Sequence, residues 1–192
     1  MPWKKSLSAV NYPKTQHGKA ENKEMKILVV VDMQNDFIDG ALGTPEAVAI
    51  VPYVKSLIEN FDGKVIFTRD THTENYLETK EGKHLPVPHC IKGTEGWQIR
   101  AELDALRTSD AIDKVTFGST ELVRVIGEMR DVESVTFVGL CTDICVISNV
   151  MLIKAFYPEL PITVDSSGCA GVTPESHSNA LAAMKMCQVE IK

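Results

Sequence analysis

Lys26–Asp32 reads KILVVVD: a lysine, an unbroken aliphatic run, then a carboxylate. A continuous β-branched run of this length marks a strand apolar on both faces, as in a parallel sheet covered on both sides. KVIFTRD (Lys64–Asp70) repeats the pattern after an Asp62-Gly63 turn, and SVTFVGL (Ser134–Leu140) repeats it again. DAIDKVTF contains a shorter strand ending near Lys114, PITVD (Pro161–Asp165) is another, and QVEI (Gln188–Ile191) is a last short one.

Helical stretches separate these strands. TPEAVAIVPYVKSLIEN has Thr44 as N-cap, Pro45 at the first helical position and Pro52 as a candidate kink. WQIRAELDAL suggests a short helix, and STELVRVIGEMR is opened by Ser119. A further helix is expected from Asp143 or Ile144 to Phe156, and TPESHSNALAAMKMC starts with Thr173 as cap and Pro174 in the first turn. Strand and helix alternate about six times, which predicts an α/β fold with a parallel sheet, helices on both sides and right-handed crossovers. Residues 71–98 read as a long loop, a length usually tied to function or to a lid.

The 192 residues suit one domain with a sizeable core. We expect a domain over residues 25–192 preceded by a flexible, polar extension at 1–24. A hydrophobic fraction of 44% and a charged fraction of 24% are those of a soluble globule, and a formal charge of −6 argues against nucleic acid or an anionic membrane as partner. No apolar run approaches the ~20 residues that span a bilayer, and no apolar secretion core opens the chain, so the cytoplasm is the expected compartment. The cysteine count of five is odd, and no CxxC pair occurs. Reduced thiols fit better than a disulfide framework, a thioredoxin-like pair or a zinc ribbon.

In such sheets ligands sit beyond the carboxyl ends of the strands. Asp32, Asp70, Lys114 and the segment Gly139–Cys145 all fall there. Cys145, in VGLCTDICVIS (Val138–Ser148), would lie in the first turn of a helix. Free backbone N–H groups and the helix dipole at that place favour a thiolate near neutral pH, and the same N–H groups suit an oxyanion. The plainer alternative is a small thiol packing helix on sheet. Asp32 is either a strand-end cap or a general base, with Lys114 as its counter-ion. Asp70 and His72 point the same way if the strand continues, and with His89 they form a candidate divalent-metal set. His84 and Glu81 can equally be solvated loop residues; His17 and His177 carry no evident role.

VVDMQNDF, a lysine after a short strand, GLCTDICV and the closing DSSGCAGVTPESHSNAL together resemble the isochorismatase-like cysteine hydrolases, nicotinamidases among them, over residues 25–192. The resemblance implies a three-layer α/β/α sandwich with a mostly parallel, about six-stranded sheet. It implies a catalytic triad of Asp32, Lys114 and Cys145, a cis peptide at Leu140–Cys141, and an oxyanion hole from the backbone N–H groups of Cys141 and Cys145. It implies a divalent ion, zinc foremost with manganese or iron as alternatives, on Asp70, His72, His89 and a fourth ligand, with Glu81 preferred over Glu78. Phe37 matches a substrate-binding aromatic, whereas the aromatic expected three residues before His89 is replaced by Pro86; Trp97 is a candidate substitute.

The activity so implied is hydrolysis of a small amide, nicotinamide or a relative, through a thioester. The alternatives are an isochorismatase-type vinyl-ether hydrolase and a non-catalytic binding protein. The expected partner is a small-molecule amide, in a homo-oligomer.

Overall fold

The structure is a computed structural model and describes residues 25–192. The extension expected at 1–24 lies outside the described residues. Six strands form one parallel sheet: β1 (Met25–Val31), β2 (Lys64–Asp70), β3 (Ile112–Lys114), β4 (Val132–Leu140), β5 (Ile162–Ala170) and β6 (Glu190–Ile191). Their order across the sheet is β3-β2-β1-β4-β5-β6, so β1 and β4 are central and the order of strand addition reverses between them. The helices are α1 (Asn35–Ile38), α2 (Pro45–Glu59), α3 (Lys80–His84), α4 (Ala101–Asp104), α5 (Thr120–Glu128), α6 (Ile147–Phe156) and α7 (Pro174–Met186).

The apolar run of β1 explains the layering. Its side chains alternate: Ile27, Val29 and Val31 enter one core with Leu122 and Ile126 of α5, Val150 and Ile153 of α6 and Met184 of α7. Leu28 and Val30 enter the other core with Phe37 of α1, Val51 and Val54 of α2 and Leu103 of α4. Every residue from Ile27 to Val31 is fully buried. A strand sealed on both faces cannot carry polar alternation, which is why its sequence reads as an unbroken aliphatic run. The expected three-layer α/β/α sandwich is observed.

Helix starts follow the expected chemistry. Thr44, Ser119 and Thr173 each accept a backbone N–H of the first turn, and Thr173 forms a reciprocal capping box with Ser176. Pro52 lies within α2, which runs unbroken from Pro45 to Glu59.

Four segments differ from expectation. The loop after β2 holds a 3₁₀ turn (Tyr76–Glu78) and α3, both short enough to escape a periodicity reading. The helix expected from Trp97 is confined to Ala101–Asp104, because Trp97 turns inward. β5 continues through Ala170, where Gly139–Cys169 and Leu140–Ala170 pairing holds polar residues in a strand. The helix expected from Asp143 or Ile144 starts at Thr142, with a π turn over Thr142–Val146 that runs straight into α6, so Cys145 lies in its first turn but with π instead of α geometry. Among the described residues, no helix is long and apolar enough to cross a membrane.

Gly139 adopts φ +118°, and a Cβ there would sit 2.1 Å from the carbonyl oxygen of Val31 on the adjacent central strand. Both strain and clash oppose any side chain at this point. Gly139→Ala should therefore lower the urea-unfolding free energy by about 2 kcal/mol or more. A loss within the ~0.5 kcal/mol typical of neutral surface changes would contradict this packing.

Candidate active site

The carboxyl ends of β1, β2, β3 and β4 bring four of the expected residues into direct contact. Asp32 follows β1 with φ +47°, a left-handed conformation that turns the chain sharply off the strand. Its carboxylate is fully buried and accepts a hydrogen bond of 2.7 Å from Thr68 Oγ1 on β2. Lys114, the last residue of β3, is 3% exposed. Its ammonium lies 2.7 Å from Asp32 Oδ2, 3.1 Å from Asp70 Oδ1 and 3.4 Å from Cys145 Sγ. Cys145, 4% exposed, comes from the π turn after β4. The Leu140–Cys141 peptide bond leading into that turn is cis, as expected.

The charge balance of this cluster is informative. Two carboxylates face one ammonium, and all three are buried. Burial alone would lower the pKa of Lys114, but Asp32, Cys145 and Asp70 outweigh it and hold the ammonium well above its ordinary value. Asp32 is raised by burial, against which the Lys114 ammonium pulls. Cys145 is pushed well above an ordinary thiol, first by burial and then by the Asp32 carboxylate. Burial and the carboxylate thus oppose the thiolate near neutral pH that a helix start by itself would favour. Ionising the sulfur would add a negative charge beside two buried carboxylates that share the Lys114 ammonium, which favours the neutral thiol beside a carboxylate that can take its proton.

Asp70 turns its second oxygen the other way. Oδ2 lies 2.8 Å from His72 Nε2 and 3.9 Å from His89 Nε2. Glu81 Oε1 is 3.6 Å and 3.7 Å from the same two nitrogens. Despite its closeness to Asp70, His72 Nε2 is buried with no well-aligned hydrogen-bond partner. His89 Nδ1 donates to the Val87 carbonyl at 2.8 Å, which leaves Nε2 with a lone pair aimed at the cluster. Ligand atoms of Asp70, His72 and His89 all lie within 4.8 Å of one another. Ligand atoms that converge on one point, among them a buried imidazole nitrogen with no aligned partner, fit a shared divalent cation, and an Asp-His-His-Glu set suits zinc, manganese or iron.

Residues without a sequence signal support the cluster. Gln34 brackets Asp70: its Oε1 accepts the Asp70 N–H at 2.7 Å and its Nε2 donates to the Asp70 carbonyl at 2.9 Å. Tyr76 packs its edge on both imidazoles, at 4.8 Å and 5.0 Å between centroids, and donates to the Leu85 carbonyl. Asn149 donates to the carbonyls of Cys145 and Phe117 and accepts the Ser119 N–H, tying the cysteine turn to the start of α5. Phe37 lies 5.5 Å from the His89 ring. Trp97 is committed elsewhere: Arg69 covers one face at 3.5 Å, and its N–H donates to Thr71. All five cysteines are free.

Comparison with known proteins places the chain in a family. The Isochorismatase domain model matches residues 26–191. An uncharacterised isochorismatase family protein, PncA, of Bacillus subtilis is 32% identical over 174 residues, covering 82% of this chain and 92% of that one. The nicotinamidase/pyrazinamidase of Mycobacterium tuberculosis is 27% identical over 187 residues, covering 87% and 98%. The crystal structure of a pyrazinamidase of Pyrococcus horikoshii in complex with zinc superposes with a TM-score of 0.73 at 28% identity, covering 87% of this chain and 98% of that one. With a family model spanning nearly the whole described chain and a relative above 30% identity over four-fifths of it, this protein belongs to the isochorismatase family.

Proposed function

We propose that this protein is a cysteine amidohydrolase that cleaves the C–N bond of a small amide, nicotinamide or a close relative, through a thioester. One observation carries the reading: a buried ammonium, Lys114, in contact at once with a carboxylate at 2.7 Å and a thiol sulfur at 3.4 Å. A binding protein has no need of such a costly buried charge cluster. The nicotinamidase and pyrazinamidase relatives point to the substrate class.

In this mechanism Asp32 removes the Cys145 proton as the sulfur attacks the amide carbonyl. Lys114 stays charged and offsets the negative charge that arrives on Asp32 and sulfur. The backbone N–H groups of Cys141 and Cys145 receive the carbonyl oxygen as it becomes an oxyanion. Asp32 then passes its proton to the departing ammonia or amine, leaving a thioester on Cys145. Water enters, Asp32 takes one of its protons, and the acid leaves with the thiol restored. Asp70, His72, His89 and Glu81 would hold the divalent ion, zinc foremost, which supplies a Lewis-acidic anchor that orients the substrate. Phe37 would flank the substrate on the side of His89. With Pro86 in place of a second aromatic, part of the ring wall is lost, at about 1 kcal/mol of stacking. Related non-aromatic amides therefore belong in any screen.

Removing Lys114 would strand two buried carboxylates at about 3–5 kcal/mol, so the cleaner test removes the uncharged member. Small amides, nicotinamide included, should release ammonia with the wild type, and Cys145→Ala should fold normally and lose at least about a thousandfold in kcat. Turnover retained in Cys145→Ala would defeat the nucleophile assignment; Cys145-independent cleavage of a vinyl ether would favour the isochorismatase-type reaction.

The reaction needs Asp32 ionised, and burial raises its pKa, so the acid limb of kcat/KM should fall at a pH above the ordinary carboxylate value of 3.8. Activity lost as pH falls through that raised value fits; a limb at or below 3.8 does not. Dialysis against a chelator should strip a divalent ion that zinc restores, and His89→Ala should weaken zinc binding at least about tenfold in competition with a chromogenic chelator. Equal zinc affinity in His89→Ala would remove His89 from the ligand set.

A further inference from the structure

We propose that His177 is a positioning residue for the turn that carries Cys145. This rests on the reading of Cys145 as the nucleophile, and extends it to a residue on α7, far from the attacking sulfur in sequence.

The π turn from Thr142 to Val146 must hold its backbone N–H groups and the sulfur in one fixed relation. It is held at both ends by side chains from other elements. At its far end Asn149 Nδ2 donates to the Cys145 carbonyl at 2.8 Å. At its near end the Thr142 side chain is fully buried, and its hydroxyl shares a 2.8 Å hydrogen bond with His177 Nδ1. The next residue, Asp143, accepts the Val172 N–H through both carboxylate oxygens, at 3.1 Å and 3.3 Å. Two consecutive residues of the turn are thus tied to the segment that opens α7.

That segment is built to be rigid. The capping box of Thr173 and Ser176 fixes the first turn of α7, which carries His177. Gly171 lets the chain press against the histidine: a Cβ there would lie 2.8 Å from His177 Cβ. Burial holds the ring below its ordinary pKa, against the pull of Asp143. A buried hydroxyl must keep a partner, so losing His177 obliges Thr142 and the turn to move. A shift of a fraction of an ångström at Thr142 misaligns the N–H of its neighbour Cys141 from a developing oxyanion.

The test uses p-nitrophenyl acetate, an activated ester that does not depend on knowing the natural amide. Asp32 takes the thiol proton, the sulfur of Cys145 adds to the acetyl carbonyl, nitrophenolate leaves, and an acetyl thioester remains. Nitrophenolate release is followed in the wild type, Cys145→Ala, Thr142→Val, Thr142→Ser, His177→Ala, His177→Asn and the Thr142→Val/His177→Ala double variant. In parallel, alkylation of Cys145 by iodoacetamide reports a displacement at the same sulfur that forms no oxyanion.

His177→Ala and Thr142→Val should each slow acylation about tenfold or more while alkylation changes far less. The double variant should be no slower than either single one. Thr142→Ser and His177→Asn keep a hydroxyl and a nitrogen near the Nδ1 position, and should recover most of the rate, which also covers the case that His177→Ala folds poorly. Acylation at the wild-type rate in His177→Ala, or an equal fall in acylation and alkylation, would overturn the inference and leave the proposed function standing. No Cys145-dependent acylation of the wild type would instead overturn the function on which the inference rests.

Discussion

The ammonium of Lys114, sealed from water at the end of a short strand, is the point on which the rest of this architecture depends. It touches Asp32, Asp70 and the Cys145 sulfur, each delivered by a different strand or turn. A charge so buried is tolerated only where its partners are held in place, because desolvation costs several kcal/mol per ion before any attraction is counted. The fold meets that need through the sheet. Parallel pairing of β2 with β3 sets Asp70 directly beside Lys114, and pairing of β1 with both β2 and β4 sets Asp32 between the Asp70–His72–His89 cluster and the cysteine turn.

Asp70 links two parts of the site. One oxygen faces Lys114, while the other faces the imidazoles of His72 and His89. Gln34 fixes the Asp70 backbone through its N–H and carbonyl, while Lys114 and His72 hold the two carboxylate oxygens. In the proposed reaction, the protein thus supplies a base, a fixed countercharge and a preset turn, and the sulfur is ionised only as it attacks. This differs from cysteine sites that store a thiolate beside a positive helix end. The difference follows from the second carboxylate and from depth: with Asp32 ionised, a resting thiolate would face uncompensated negative charge in a medium of low polarity.

Much of this was legible in the sequence where side chains obey a local rule. The aliphatic run of β1 announces a strand covered on both faces, and Thr44, Ser119 and Thr173 announce helix starts. Asp32, Lys114 and Cys145 stand out because they follow strands or a glycine-led turn, and an Asp-x-His is visible by spacing. What escaped was set by tertiary contact. Gln34, Thr68 and Asn149 are neutral, and their partners Asp70, Asp32 and Ser119 lie 30 to 36 residues away, so no spacing marks them; Tyr76 sits near His72 in sequence but in a loop without a periodic pattern. His177 reads as an ordinary helix-start residue until α7 packs on the cysteine turn. The pull on the thiol proton escaped for the same reason: a helix-start rule sees the turn but not the carboxylate and the burial around it.

The most direct measurement is the ultraviolet thiolate absorbance of the free protein, taken as wild type minus Cys145→Ala across a pH titration. The two spectra should superimpose at neutral pH and separate only when the solution is made alkaline. A Cys145-dependent thiolate signal already present at neutral pH would contradict this, because the sulfur would then be ionised before any substrate arrives.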